Sequence, residues 1–361
     1  MSAPPDGERP ALVVWPVRGL PDVRPGDDLV ALLASGLSDG GLALEDGDVL
    51  VVASKVVSKA LGLARVGTDR AGVVAEETVR VVARRRGAVA DTVIVESAAG
   101  PVMAAAGADT SNARPGEVLL LPRDSDEAAR ALRSGLGRSF PGVRFGVVVS
   151  DTAGRPWRDG VTDFALGAAG VCVLEDLRGQ NDTHGQRLEV TVRAVADEVA
   201  AAADLVKGKL AGVPAAVVRG LGPYVTDEDG PGARSALRGA GNRWWQDWFR
   251  YGHVEAVRAA LAAGVVEPGD PVSAPSIQPE TVAVRANRAL ELALAAYPTL
   301  VTGAVTEAMG EVTVEVTAGS AYAMGVTVAR LHVALWSEHL STSPRGEEET
   351  QARFTVRELV D

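Results

Sequence analysis

Residues 144–149 form an apolar strand that runs directly into Ser150-Asp151-Thr152-Ala153-Gly154-Arg155-Pro156-Trp157-Arg158. A strand of this kind must be buried, so the rest of the chain has to pack around it. The abrupt change to a carboxylate, hydroxyls and two guanidiniums then places charged chemistry at a sheet edge, on a loop held by a rigid strand. Further β-rich runs at 11–15, 48–53, 93–96, 118–121 and 215–218 alternate with helices predicted over 28–37, 76–86, 125–136 and 189–206. The helix over 189–206 is Ala-rich, lacks Gly and Pro, and stops at Gly208. The pattern predicts a mixed α/β (α+β) fold. Neither a Gly-x4-Gly-Lys-Ser/Thr loop nor a Gly-x-Gly-x-x-Gly turn between strand and helix is present, so the familiar nucleotide fingerprints are missing.

The character changes after Leu221. Asp, Gly and Pro crowd into 227–234, which predicts a boundary between a domain over 1–226 and a smaller α+β domain over 227–361. Within the second part, helices are predicted at 254–263, 282–296 and 321–339 and a strand at 311–317. A polar, Glu-rich loop and a last short strand complete it. Trp244, Trp245 and Trp248 are half of all six tryptophans; buried domain packing is the ordinary reading and an exposed interaction patch the other.

Charge narrows the ligand. The formal net charge is −11, which argues against a nucleic-acid track or an anionic membrane surface. Of 36 basic residues, only Lys55, Lys59, Lys207 and Lys209 are lysines. Two lysine pairs in an acidic chain fit a small anionic ligand better than a polyanion. Cys172 is the single cysteine, which excludes a disulfide framework and a thiolate metal cluster. No apolar run approaches about 18 residues, and the first residues lack the basic-then-apolar order of a secretory signal. A cytoplasmic protein with no membrane partner is expected.

Four segments carry candidate chemistry. Ser54-Lys55-Val56-Val57-Ser58-Lys59 comes directly after a strand and can cradle phosphate or simply open a helix. Asp109-Thr110-Ser111-Asn112 reads as an Asx-type turn or as ligands for a hard cation. The segment from Ser150 to Arg158 is the richest, and Lys207-Gly208-Lys209 closes the long helix, where the helix dipole alone would favour lysine. Asp176, Arg178 and Asp182 add another charged cluster. His332 and His339 lie two turns apart on one predicted helix, a spacing that fits an amphipathic stripe better than a metal pair. Taken together, the carboxylates suit Mg²⁺ or Mn²⁺ and the cations a nucleoside polyphosphate, which implies a metal-dependent, nucleotide-using transferase or ligase.

The same segments, with 196–198 and Val218-Arg219-Gly220-Leu221, resemble in order the coenzyme F420-0:L-glutamate ligase (F420 γ-glutamyl ligase) family over about residues 10 to 222. The resemblance implies the α+β fold of that family, which is neither P-loop nor Rossmann, a homodimer, and GTP-driven joining of L-glutamate to coenzyme F420-0 through an acyl phosphate, with Mg²⁺ or Mn²⁺ and sometimes K⁺. It implies GTP contacts at Leu20, Pro21, Asp22, Val23, Ser54, Lys59, Asn112, Lys207 and Gly208. Asp109 and Asp151 are implied as ligands of one divalent ion and Thr152 as a ligand of a second, whose expected Glu partner aligns with Lys209. Asp151, Arg155 and Arg158 are the candidate catalytic residues. The chain departs from the family at Ser97-Ala98-Ala99-Gly100 and at Ala105, which keeps open an amide ligase with another acceptor. A non-catalytic nucleotide-binding relative is the other alternative. Residues 248–257 resemble a junction into a flavin-dependent nitroreductase-like domain, but the stretch from there to Asp361 is too short for one, and no FMN is expected.

Overall fold

Residues 12–67, 69–85, 92–237, 247, 249–263 and 280–359 are described by the computed structural model. The tryptophan cluster at 244, 245 and 248 lies outside the described residues. Two compact units emerge, Met1–Val79 with Glu96–Asp247, and Arg80–Val95 with Trp248–Asp361.

The first unit is built on a five-stranded sheet in the order Val13–Val17, Ala215–Arg219, Val49–Ala53, Gly146–Arg155, Arg158–Ala169. Its one parallel pairing joins Val49–Ala53 to Gly146–Arg155, from Val49 opposite Gly146 to Ala53 opposite Ser150. The other pairings are antiparallel. Successive residues of a strand face opposite sides of its sheet. Thus Leu50, Val52, Val147 and Val149 pack with the helices Leu29–Asp39 and Ser125–Gly137 on one side. Val49, Val51 and Val148 pack with the helix Val195–Lys207 on the other. Cover on both faces explains why residues 144–149 can be so apolar.

Three expectations fail locally. The segment expected as a helix over 76–86 is instead the strand Thr78–Arg85, preceded by a short helix Arg70–Glu76. Thr78, Val79, Val81 and Val82 are β-branched and pack better on a pleated surface than on a helix. The long helix begins at Val195 rather than near Glu189, because Val192–Arg193 pairs with Glu175–Asp176. The segment after Val149 is not a loop: the strand continues to Arg155 and turns into Arg158–Ala169 as a long hairpin. Its register shifts between Val149 and Ser150, a β-bulge at the point where polar residues begin.

The Asp/Gly/Pro cluster at 227–234, expected as a boundary, belongs to the body of the first unit, and the units divide at Asp247 and Trp248 instead. The buried Asp126 carboxylate accepts the backbone N–H groups of Ala168, Ala233 and Arg234 at 2.9, 2.6 and 3.2 Å. Gly232 sits against it at φ 78°, where an added Cβ would lie 2.3 Å from the carboxylate carbon. Asp126→Ala is expected to cost about 3 kcal/mol or more, since several buried donors lose their acceptor together. Chemical denaturation monitored by fluorescence measures it.

The second unit carries a four-stranded antiparallel sheet in the order Val301–Ala308, Glu311–Ala318, Gln351–Glu358, Leu340–Glu347. Val312, Val314, Val316, Phe354 and Val356 face the helices Val282–Leu294 and Ala321–Ser337 in one core. The expected Glu-rich loop is therefore half of a hairpin, and the strand Val301–Ala308 was not expected at all, having no apolar alternation. His339 stands just beyond the helix that holds His332. No helix among the described residues is long and apolar enough to cross a membrane.

Candidate active site

The parallel pair defines the site. The pairing ends at Ala53 opposite Ser150, so Ser54 and Asp151, each one residue further on, become neighbours. Ser54 Oγ donates to Asp151 Oδ1 at 3.0 Å. Beyond the strand ends lies a cavity of about 400 Å³ lined by Leu20, Pro21, Asp22, Val23, Lys55, Lys59, Asn112, Ser150, Asp151, Thr152, Asp163, Asp204, Lys207, Gly208 and Lys209, among others.

All four lysines of the chain line this one cavity. The sheet explains how two pairs some 150 residues apart in sequence converge. The helix Ser54–Ala60 continues from the strand Val49–Ala53 and presents Lys55 and Lys59 one turn apart on one face. The helix Val195–Lys207 covers the opposite face of the same sheet and ends on Lys207. The two local cation sites expected from the sequence are thus one site, reached around the sheet edge.

Each lysine has a defined partner. Lys55 Nζ lies 2.6 Å from Asp109 Oδ2, and Lys59 Nζ 2.8 Å from Asp22 Oδ1. Lys207, only 3% exposed, places Nζ 2.7 Å from the Asp163 carboxylate, itself 4% exposed, and 2.7 Å from Ser150 Oγ. Lys209 Nζ donates to Thr152 Oγ1 at 2.8 Å. Thr152 in turn donates to Asp163 Oδ1 at 2.7 Å.

The carboxylates differ in kind. Burial pushes Asp151 up to about 6, only partly opposed by the Ser54 hydrogen bond and the nearby Lys55 charge. Burial also acts on Asp163, but the Lys207 ammonium with the Thr152 and Ser150 hydroxyls outweighs it and holds Asp163 below the ordinary carboxylate range. Asp109 is likewise lowered, since its burial is outweighed by Lys55 and by Ser111. Ser111 N and Oγ reach the two Asp109 oxygens at 2.7 and 2.9 Å, the expected Asx-type turn, and Asn112 completes it in the left-handed region at φ 57°.

Ten of the expected residues line the cavity: Leu20, Pro21, Asp22, Val23, Lys59, Asn112, Asp151, Thr152, Lys207 and Gly208. Ser54 sits behind Asp151, and Asp109 is tied to the cavity through Lys55. Arg155 and Arg158 do not line it. The continued strands carry both to the exposed hairpin end, where Arg155 donates to the Asp159 carbonyl at 3.5 Å. Asp163 was missed. Its one sequence signal is a carboxylate at the head of an otherwise apolar run, and only the cross-strand pairing of Thr152 with Asp163 gives that meaning.

Among the described residues, no three His, Cys, Asp or Glu side chains gather into a metal-binding group. The donors still suit one hard divalent ion. Asp151 is a half-buried, desolvated carboxylate that forms no ion pair among the described residues, and a charge held in this way is stabilised by a metal. Mg²⁺ characteristically takes one or two carboxylates and completes its shell with phosphate oxygens and water. Asp151 would supply the protein's share directly, whereas Asp109 would first have to release the Lys55 ammonium that lies 2.6 Å from it. Thr152 fits a second ion poorly, because its hydroxyl already receives the Lys209 ammonium.

A mixed α/β fold with four lysines gathered on one cavity beside the parallel strand pair, together with the chain's sequence relationships, places it among amide-forming ligases. The profile of the family described as F420-0:Gamma-glutamyl ligase matches residues 19–220. The coenzyme F420:L-glutamate ligase of Methanopyrus kandleri is 43% identical over 250 residues, spanning 64% of this chain and 96% of that protein. Those of Archaeoglobus fulgidus and Haloarcula marismortui are 41% and 42% identical, over 58% and 57% of this chain and 87% and 86% of theirs. The chain belongs to the F420-0:gamma-glutamyl ligase family, as its resemblance implied.

Proposed function

We propose that this protein joins L-glutamate to the terminal carboxylate of coenzyme F420-0 at the expense of GTP, with Mg²⁺ or Mn²⁺. The observation that carries the reading is the convergence of Asp151 and every lysine of the chain on one cavity within the segment that matches the family, with Asp109 joined to it through Lys55. GTP lies along the cavity, with its phosphates toward Lys55, Lys59 and Lys209 and its base toward the Leu20-Pro21-Asp22-Val23 turn. Transfer of the γ-phosphoryl group to the acceptor carboxylate gives an acyl phosphate and GDP. The glutamate amine then attacks the acyl carbon, its proton is lost, and phosphate leaves as the amide forms.

A divalent ion on Asp151 and Asp109 would neutralise phosphate charge as it shifts to the leaving oxygen. The protein's own part is positional. Lys55 pairs with Asp109 and its charge acts on Asp151, and Ser54 fixes the Asp151 oxygen that it bonds. Arg155 and Arg158, outside the cavity wall, are assigned to the remote anionic groups of the acceptor. The functional form is a cytoplasmic homodimer, which light scattering of the purified protein tests.

Incubation with F420-0, glutamate, GTP and Mn²⁺ should add one or more glutamyl units by mass spectrometry, and folded protein that yields no such product refutes the reading. Lys59→Ala frees Asp22 and removes one phosphate contact. Its KM for GTP is expected to rise about tenfold, as for loss of a hydrogen bond to a charged group, and steady-state kinetics measure it.

A further inference from the structure

Three of the four cavity lysines are already neutralised: Lys55 by Asp109, Lys59 by Asp22 and Lys207 by Asp163, at 2.6, 2.8 and 2.7 Å. Lys209 differs. Among the described residues it forms no ion pair, and its hydrogen bond goes to the neutral Thr152 hydroxyl. Asp204 on the neighbouring helix lies near both Lys207 and Lys209 but forms an ion pair with neither. The Thr152 proton is committed to Asp163 Oδ1, so the Lys209 ammonium meets the remaining lone-pair side of that oxygen. Asp163 is already engaged, its Oδ2 accepting Lys207 and Ser150 and its Oδ1 accepting Thr152.

The backbone enforces this division. Gly208 has φ 58° and ψ 178°, a conformation essentially reserved for glycine. It lets Lys207 turn into the protein while Lys209, two residues on, stays exposed along the cavity wall. The buried Lys207–Asp163 pair thus orients Thr152, and Thr152 orients Lys209.

We propose that Lys209 is a built-in cation that contacts a phosphate oxygen of the bound nucleotide at the Thr152 corner, where it takes the place of a second divalent ion. A divalent ion on Thr152 Oγ1 would have to displace an ammonium of like charge from the same oxygen. The chain therefore supplies one carboxylate free of an ion pair among the described residues for a divalent ion, Asp151, and one fixed monovalent charge at Thr152. This inference rests on the nucleotide reading above.

The test uses the full chain and direct binding, without turnover. Calorimetry with inorganic tripolyphosphate and with GTP, each in EDTA and in Mn²⁺, compares the wild type with Lys209→Ala and Lys209→Arg. Manganese bound per chain at saturating GTP is counted by electron paramagnetic resonance for the wild type and Lys209→Glu. Lys209→Ala should weaken both anions about tenfold even in EDTA, the scale of one lost charged hydrogen bond, and Lys209→Arg should restore most of that loss. The wild type should hold one Mn²⁺ per chain and Lys209→Glu a second. Unchanged affinity in Lys209→Ala, or two Mn²⁺ on the wild type, overturns the inference and leaves the proposed function standing. A wild type that binds neither GTP nor tripolyphosphate overturns both.

Discussion

Replacing Asp151 with asparagine is expected to stabilise the unliganded protein at neutral pH while abolishing its activity. The folded carboxylate titrates at about 6, against roughly 3.9 in an unfolded chain, because burial disfavours its charge. Below about pH 4 the group is protonated in both states and burial costs nothing extra. Between pH 4 and 6 the unfolded state ionises first, and stability falls as pH rises. Above pH 6 the full penalty is present, on the order of 3 kcal/mol for a shift of about two pKa units. Asparagine keeps an acceptor for Ser54 and removes the charge, so Asp151→Asn should unfold at higher denaturant than wild type at pH 7.5. The difference should vanish near pH 4.

A group that weakens the free protein in this way makes sense where a ligand restores the balance. Mn²⁺ with GTP should raise the melting temperature of the wild type and not of Asp151→Asn, since only ligands bound to the native state stabilise it. Glutamylation by the variant should fall about 1,000-fold, corresponding to several kcal/mol of lost charge stabilisation at a metal-assisted step. A variant that is both destabilised and active would show that Asp151 is a structural carboxylate.

The largest loss of stability is expected at the Lys207–Asp163 pair. Both side chains are almost fully buried, and their ammonium and carboxylate share Ser150 as a further partner. Lys207→Met strands the Asp163 carboxylate in the interior and should cost about 3–5 kcal/mol. Lys207→Met with Asp163→Leu removes both charges and should cost clearly less than the two single variants added together, with a coupling of about 1–3 kcal/mol in a double-mutant cycle. The depressed Asp163 value gives a second signature. Its contribution is present above the unfolded carboxylate range, near pH 4, and is lost as pH falls through its lower folded value. Additive single variants would mean that the pair is not coupled.

Much of the candidate site was legible because its chemistry is local. Lys55 and Lys59 lie one helical turn apart, Asp109 and Ser111 close their own turn, and Lys207 ends a helix marked by Gly208. Each signal sits within a few residues of sequence, whereas Leu20, Pro21, Asp22 and Val23 were implied only by the family resemblance; the structure brings ten of the expected residues to one cavity wall. The errors cluster where long-range pairing overrode local appearance. Residues 76–86 were expected to be helical and form the strand Thr78–Arg85, while the polar run after Val149 was expected as a loop and became the arm of a hairpin.

The sequence by itself determined which groups are available: four lysines among 36 basic residues, two aspartates in turn or strand-end contexts, and a core strand apolar enough to demand cover on both faces. Only the tertiary structure decided what those groups do. It joined two distant lysine pairs around one sheet edge and gave Lys207 a buried partner in Asp163. It left Lys209 without a carboxylate partner among the described residues, and it carried Arg155 and Arg158 away from the cavity. The reason is register. Propensity and capping act over a turn or so of chain, whereas the Ala53–Ser150 and Thr152–Asp163 pairings are set by which apolar faces bury together across the whole sheet.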